Sequence, residues 1–158
     1  MKKIRQSKGK SMRSTYFVFC EGKSEEAYVR YLRSCYRLPN KACHPCDPLK
    51  DRDFLMYDLD REDILPRLKK IKKAKIIASN PCFELWYLLH CINQKAEIRA
   101  AQCNEKLLRH ISSYQKGYFC EKIREKLVSK AFEARRRASH LMKWENPSTD
   151  IYMFIDLL

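Results

Sequence analysis

Glu21, Asp58, Asp60 and Glu84 are the residues of this chain whose types and spacing could do chemistry. Glu21 follows the strand-like run Thr15-Tyr16-Phe17-Val18-Phe19 and Cys20. Asp58-Leu59-Asp60 follows Phe54-Leu55-Met56-Tyr57. The polar cluster Ser79-Asn80-Pro81-Cys82-Phe83-Glu84 follows Ala74-Lys75-Ile76-Ile77-Ala78. In an open parallel α/β sheet, residues just past the carboxyl ends of the strands gather in one crevice, where such folds bind ligands. Carboxylates brought together there repel one another, and a hard cation relieves the repulsion. Mg²⁺ is commonly held by one or two carboxylates, with waters and substrate phosphates completing its shell.

Asp58 and Asp60 share one face if the chain stays extended, with Leu59 opposite. The alternative for that pair is an Asx-type turn capping the next helix. Glu21 precedes Gly22, where the backbone can turn sharply and approach a ligand. Together the three carboxylates suffice to bind Mg²⁺ (or Mn²⁺) and to leave one group for proton transfer. Glu84 reads two ways: as a further metal ligand, or as a charge suited to the start of a helix. His90, on the same apolar helix, is read as a buried, hydrogen-bonded histidine rather than a catalytic one. No Gly-x-Gly or P-loop pattern is present, so ATP hydrolysis is not expected of the chain itself.

The surroundings of these acids are strongly basic. Against 19 Asp and Glu stand 33 Lys and Arg, a formal net charge of +14. The cations concentrate in the first thirteen positions, between Arg67 and Lys75, and from Lys122 to Lys143, which includes Arg135-Arg136-Arg137. Such patches attract polyphosphate backbones through counterion release, without sequence preference. Solvated helix faces are the plainer reading of the same runs. Lys23, Lys116, Arg135, Arg136 and Arg137 are the expected nucleic-acid contacts.

No apolar run is long enough for a membrane span, and the basic start lacks the apolar stretch of a secretory signal. A cytoplasmic setting follows, in which the eight cysteines should be reduced. Cys43-His44-Pro45-Cys46 is the one zinc-like spacing. Without a second ligand pair, ordinary thiols are the favoured reading.

The elements that must position these residues can be sketched from pattern. Residues 1–13 read as a basic flexible arm and 14–158 as one domain. Strands are expected at 14–20, 41–46, 54–57 and 75–78. A helix opens near Lys23 with Ser24 as its N-cap and runs to Tyr36, carrying Ala27, Tyr28, Tyr31, Leu32 and Cys35 on one stripe. A second runs from about Asp63 to Lys73, early enough for Pro66 to fall in its first turn. A third spans Pro81 to Asn93, with Asn80 as N-cap and Pro81 at the first helical position. The rest, 104–110 and 119–143, is helical and basic, with turns at 114–117 and 146–149. The strand at 41–46 lies too close to the next for a parallel crossover, which predicts an antiparallel or irregular connection.

These residues also carry a resemblance. Phe19-Cys20-Glu21-Gly22-Lys23-Ser24-Glu25, Met56-Tyr57-Asp58-Leu59-Asp60, Ser79-Asn80-Pro81-Cys82-Phe83-Glu84-Leu85-Trp86, Tyr114-Gln115-Lys116 and Asn146-Pro147-Ser148-Thr149 resemble the RloB-like family, associated with restriction and abortive-infection loci against phage. The resemblance covers about 15 to 150, and the Ser79-to-Trp86 run is its most specific part. It implies a Toprim-like α/β fold: a small, mainly parallel sheet flanked by helices, with a helical basic C-terminal part. It further implies a Mg²⁺ site from Glu21, Asp58 and Asp60, nuclease-type activity, and an ABC- or AAA-type ATPase partner encoded nearby. Two features depart from the family pattern: Leu59 stands where Arg is expected, and 41–53 is too short for a crossover helix.

The leading functional expectation is therefore a Mg²⁺-dependent nuclease of an anti-phage system, acting on RNA (tRNA among the candidates) or DNA. The competing one is a non-catalytic subunit that binds nucleic acid or an ATPase. A nucleotidyl-transfer or primase-like activity would use the same carboxylates but needs a nucleotide pocket that no motif supplies.

Overall fold

Strand alternation sorts the apolar side chains of the central sheet onto two faces, and this decides where each carboxylate points. The computed structural model describes residues 15–37, the backbone of 40–43, and 49–158. Its strands are β1 (Tyr16–Cys20), β2 (Asn40–Cys43), β3 (Phe54–Asp58), β4 (Lys75–Asn80) and β5 (Ser148–Thr149), in the order β2-β1-β3-β4-β5. The first four are parallel, and β5 runs antiparallel to β4.

Val18, Cys20, Phe54, Met56 and Ile77 face a large core built with the helices α1 (Lys23–Tyr36), α3 (Glu84–Leu89), α4 (Ala100–His110), α5 (Glu121–Ser129), α6 (Ala131–Ser139) and α7 (Ile151–Asp156). Tyr57, Leu59, Ile76 and Ala78 face a smaller core with α2 (Ile64–Leu68) and Trp144. Asp58 has the parity of Phe54 and Met56, so it ends β3 on the side of the large core.

The fold is the expected α/β class, a mainly parallel sheet flanked by helices. The anticipated awkward pairing does not arise, because β1 lies between β2 and β3. The arm 1–13 and the Cys43–Cys46 zinc question lie outside the described residues and side chains. Among the described residues the cysteines are free, and Cys20, Cys82, Cys103 and Cys120 are buried like small apolar groups. No helix among them is long and apolar enough to cross a membrane.

Several element boundaries differ from the sequence expectation, each for a local reason. Ser24 does not cap α1: Gly22 holds that position without a side-chain bond, and the Ser24 hydroxyl is committed elsewhere. Nor does Asn80 cap α3. It extends β4 by pairing with Ser148, and its side-chain amide donates to the Trp144 carbonyl at 3.0 Å. Helix α3 consequently starts at Glu84 rather than Pro81. Helix α2 stops at Leu68 because Lys69, Lys70, Lys72 and Lys73 would stack like charges one turn apart.

The expected turn at 146–149 contains β5. Ser79 and Thr149 hydroxyls meet at 2.8 Å, while the Asn146 amide accepts from the Ile98 N–H at 3.1 Å and donates to its carbonyl at 2.9 Å. The chain's last turn and helix are thereby fastened to the sheet.

At the opposite end of β3, Asp53 is buried. Its carboxylate accepts from the backbone amides of Phe17 at 3.0 Å and Lys50 at 2.9 Å, tying β1 to the entry of β3. Replacing it strands two amides. Urea unfolding of Asp53→Ala should show a loss of about 2–4 kcal/mol, whereas a change under about 0.5 kcal/mol would mean that water satisfies both donors.

Candidate active site

Strand β1 delivers Glu21, β3 delivers Asp58, and the segment after β4 delivers Glu84. All three stand at the carboxyl edge of the sheet. The Glu21 amide donates to the Met56 carbonyl at 3.3 Å, and its carboxylate accepts from the Asp58 amide at 3.0 Å. This pair of bonds locks the two strand ends together and fixes Glu21 at the exposed lip, with Asp58 half-buried behind it.

Glu84 is the deepest of the set, 1% exposed. One of its oxygens, Oε1, accepts from Tyr114 Oη at 2.6 Å and from Ser24 Oγ at 2.9 Å. Ser24 in turn accepts from the Gly117 amide at 3.2 Å. The other oxygen, Oε2, is buried without a partner among the described residues, as is Oδ1 of Asp58. Buried carboxylate oxygens are ordinarily hydrogen-bonded. Two orphans in neighbouring acids are suited to a cation.

A fourth carboxylate, Glu25, completes the crevice and was not anticipated from sequence. It is 3% exposed on the first turn of α1. The buried face of α1 runs Ser24, Glu25, Tyr28, Val29, Leu32. The apolar stripe read from sequence was rotated from this face and left Glu25 outside. Gly22 lies close against this acid: a Cβ there would stand 2.8 Å from Glu25 Oε2 and displace the carboxylate. Gly117, at φ +80°, lets the 115–118 turn close on α1, and a Cβ there would meet the Lys23 Cβ at 2.7 Å.

The charges respond to this crowding. Burial, then Glu25, Glu84 and Glu21, push the Asp58 carboxyl up to about 8, with a hydrogen bond from the Phe83 amide opposing. Glu25 rises to about 7, chiefly through burial. Its own backbone amide and Lys116 oppose the rise, and Glu84 and Glu21 add to it. Lys116 is held in its charged form, foremost by Glu84 and then by Asp58 and Glu25. Lys116 is exposed and stands over the acids, while Lys23 is exposed beside Gly117.

Other expected site residues lie apart from this cluster. Asp60 is exposed on the turn after β3, because the strand ends at Asp58 and the Leu59 amide donates to the Ser79 carbonyl at 2.8 Å. The three arginines occupy α6. Arg135 pairs with Asp156 through both of its terminal nitrogens, and Arg137 donates to the Leu89 carbonyl at 2.6 Å, at the far end of α3 from Glu84. Arg136 is exposed near Asn93, Lys95 and His140. His90 is buried, donates from Nδ1 to the Trp86 carbonyl at 2.8 Å, and is held neutral by burial, its pKa pushed down to about 4.

A family model of RloB-like proteins matches residues 16–158. The chain belongs to the RloB-like family. No curated protein and no solved structure gives a match. In this RloB-like chain, runs distant in sequence meet at the crevice: Glu21 to Glu25, Asp58, Glu84, and Tyr114 to Lys116. Among the described residues, no three His, Cys, Asp or Glu side chains converge as a closed metal-holding group. The arrangement fits an open cation site, with one or two carboxylate ligands and the remaining positions free for water or phosphate.

Asp58 and Glu25 keep protons in the folded chain that the unfolded chain releases near pH 4. Folded-state proton binding then exceeds the unfolded value, so stability falls as pH rises from about 4 towards 8. Thermal melts in EDTA at about pH 5.5 and about pH 8 should give the higher Tm at the lower pH by several degrees. Asp58→Asn should flatten that difference. A wild-type Tm that rises across the window would mean that both carboxyls are ionised in the crevice.

Proposed function

We propose that this RloB-like chain is a Mg²⁺- or Mn²⁺-dependent nuclease subunit that hydrolyses phosphodiesters of RNA or DNA at the crevice of Glu21, Glu25, Asp58 and Glu84. The observation that carries this reading is the pair of buried, unpartnered carboxylate oxygens on Asp58 and Glu84 at the carboxyl edge of a parallel sheet. These two would hold the ion, with water or phosphate completing its shell and Glu21 bordering the site. Asp60 joins as a ligand only if the turn after β3 moves. When bound, the ion supplies a water of lowered pKa and neutralises charge on the scissile phosphate.

The chain's own groups account for the rest. Glu25, poised near neutrality, takes the proton of the attacking water. Lys116, kept charged by three carboxylates, faces the phosphate and offsets its growing negative charge. Tyr114 and Ser24 spend their hydroxyls on Glu84 Oε1 and so leave the buried Oε2 without a hydroxyl donor. The family's link with restriction and abortive-infection loci supports a role in anti-phage defence, alongside an ABC- or AAA-type ATPase.

One observation favours a second reading, a non-catalytic subunit that binds nucleic acid or an ATPase: among the described residues no three His, Cys, Asp or Glu side chains converge to hold a metal ion. The two readings separate in a single assay. Purified protein, with and without its genomic-neighbour ATPase, is incubated with total tRNA and with plasmid in Mg²⁺ or Mn²⁺. Cleavage should disappear in EDTA and in Asp58→Ala, and Glu25→Gln should slow it by about 10²-fold or more. Cleavage that survives Asp58→Ala at full rate would remove this crevice from the mechanism. Salt-sensitive binding without turnover, unharmed by Glu21→Gln, would establish the second reading instead.

A further inference from the structure

Beside the acidic crevice, on the other face of the sheet, lies a cavity of about 340 Å³ lined by Glu21, Tyr57, Arg61, Ile64, Arg67, Leu68 and Ile71. Its volume falls in the roughly 300–1,000 Å³ range of small-molecule sites. One wall is apolar: the Tyr57 ring, Ile64 and Ile71 pack with buried Leu68 against the smaller core, while Glu21 and the two arginines make the rest of the lining polar. The mouth is cationic. Arg61 grips Asp63 with two bonds of 3.0 and 2.9 Å, and Arg67 touches the same carboxylate at only 3.5 Å.

One carboxylate therefore positions two guanidiniums without neutralising both. Arg67 is 76% exposed and keeps most of its N–H donors unspent. From Arg67 the exposed cations Lys69, Lys70, Lys72, Lys73 and Lys75 continue along the chain. Glu21 borders both the cavity and the crevice, so a strand whose phosphate sits at Asp58 and Glu84 has its neighbouring nucleotide at this mouth.

Resting on the nuclease reading above, we infer that this cavity is a nucleotide subsite. It takes an unpaired base against Tyr57, Ile64 and Ile71, while the adjoining phosphate is held by Arg67 and Arg61. A slot with one apolar wall and guanidiniums at its entrance suits a flat base followed by a phosphate. A paired base cannot enter without leaving its stack, which costs a few kcal/mol. The substrate class that follows is single-stranded or looped nucleic acid rather than intact duplex. The basic run after Arg67 tracks the backbone beyond the slot.

The test is equilibrium binding by fluorescence anisotropy, with the full chain in EDTA to prevent turnover. Probes are about 12 nucleotides long, as single-stranded RNA, single-stranded DNA, blunt duplex, and single strands with abasic positions. Intact single strands should bind about tenfold more tightly than the duplex or the abasic strand. Arg67→Gln should weaken binding and lower the salt slope by about one. Ile71→Trp, which fills the slot, should abolish the preference for bases and leave the salt slope unchanged.

Duplex and abasic strands that bind as well as intact ones, or a salt slope untouched by Arg67→Gln, overturn the subsite. So does a mononucleotide that raises Tm through Arg67 while oligonucleotides ignore both substitutions, because the cavity is then a site for free nucleotide. Base-dependent binding without cleavage in Mg²⁺ would sink the nuclease reading alone. Cleavage without base dependence would sink the subsite alone.

Discussion

Removing a carboxylate from water is costly unless its oxygens find donors or a positive charge, and Glu84 meets that condition only halfway. Two hydroxyls converge on one oxygen, and among the described residues none answers the other. The rest of the site is arranged around that imbalance. Ser24 must be buried to serve Glu84, which sets the rotation of α1 and brings Glu25 inside. Tyr114 must reach the same oxygen, which draws the 115–118 turn over the crevice and sets Lys116 above it. Gly117 allows the approach because only a residue without a side chain fits against Lys23 at positive φ.

The protein thus concentrates negative charge inside a molecule that is strongly positive overall. The two tendencies act at different ranges. Surface cations attract a polyanion over a distance near the screening length of about 10 Å. The crowded acids act only on what enters the crevice, where, on the proposed reading, they would reject a bare phosphate and accept one accompanied by a divalent ion. On that reading the chain would gather nucleic acid broadly and engage its backbone at one place.

How much of this was legible in the sequence depends on the kind of signal each residue gave. Asp58 and Glu21 could be read because strand-like runs end next to them and parallel sheets collect such positions. Asp60 shared that signal, but two-residue periodicity holds only while the strand continues, and β3 stops at Asp58. Ser24 and Asn80 looked like helix caps on residue type alone. Each proved to be taken by a partner far along the chain, Glu84 for one and Trp144 with Ser148 for the other. Glu25 was hidden because a glutamate in the first turn of a helix is ordinarily solvated. Only the true direction of the apolar stripe, running back from Leu32 through Val29 and Tyr28, marks it as interior. Arg135 and Arg137 looked like free cations in a basic run, yet a carboxylate and a helix-end carbonyl hold them.

The partners of Glu84 have a consequence for the life of the chain. Ser24 lies 60 positions before it and Tyr114 lies 30 after it, while β5, which pairs with the strand leading into it, comes later still. Proteins emerge from the ribosome amino end first, at roughly 5–20 residues per second. Any nascent fragment that ends before Tyr114 has the acids but lacks the clasp that aims them. Timing is therefore built into the connectivity: the crevice takes its final form only once nearly the entire polypeptide is free.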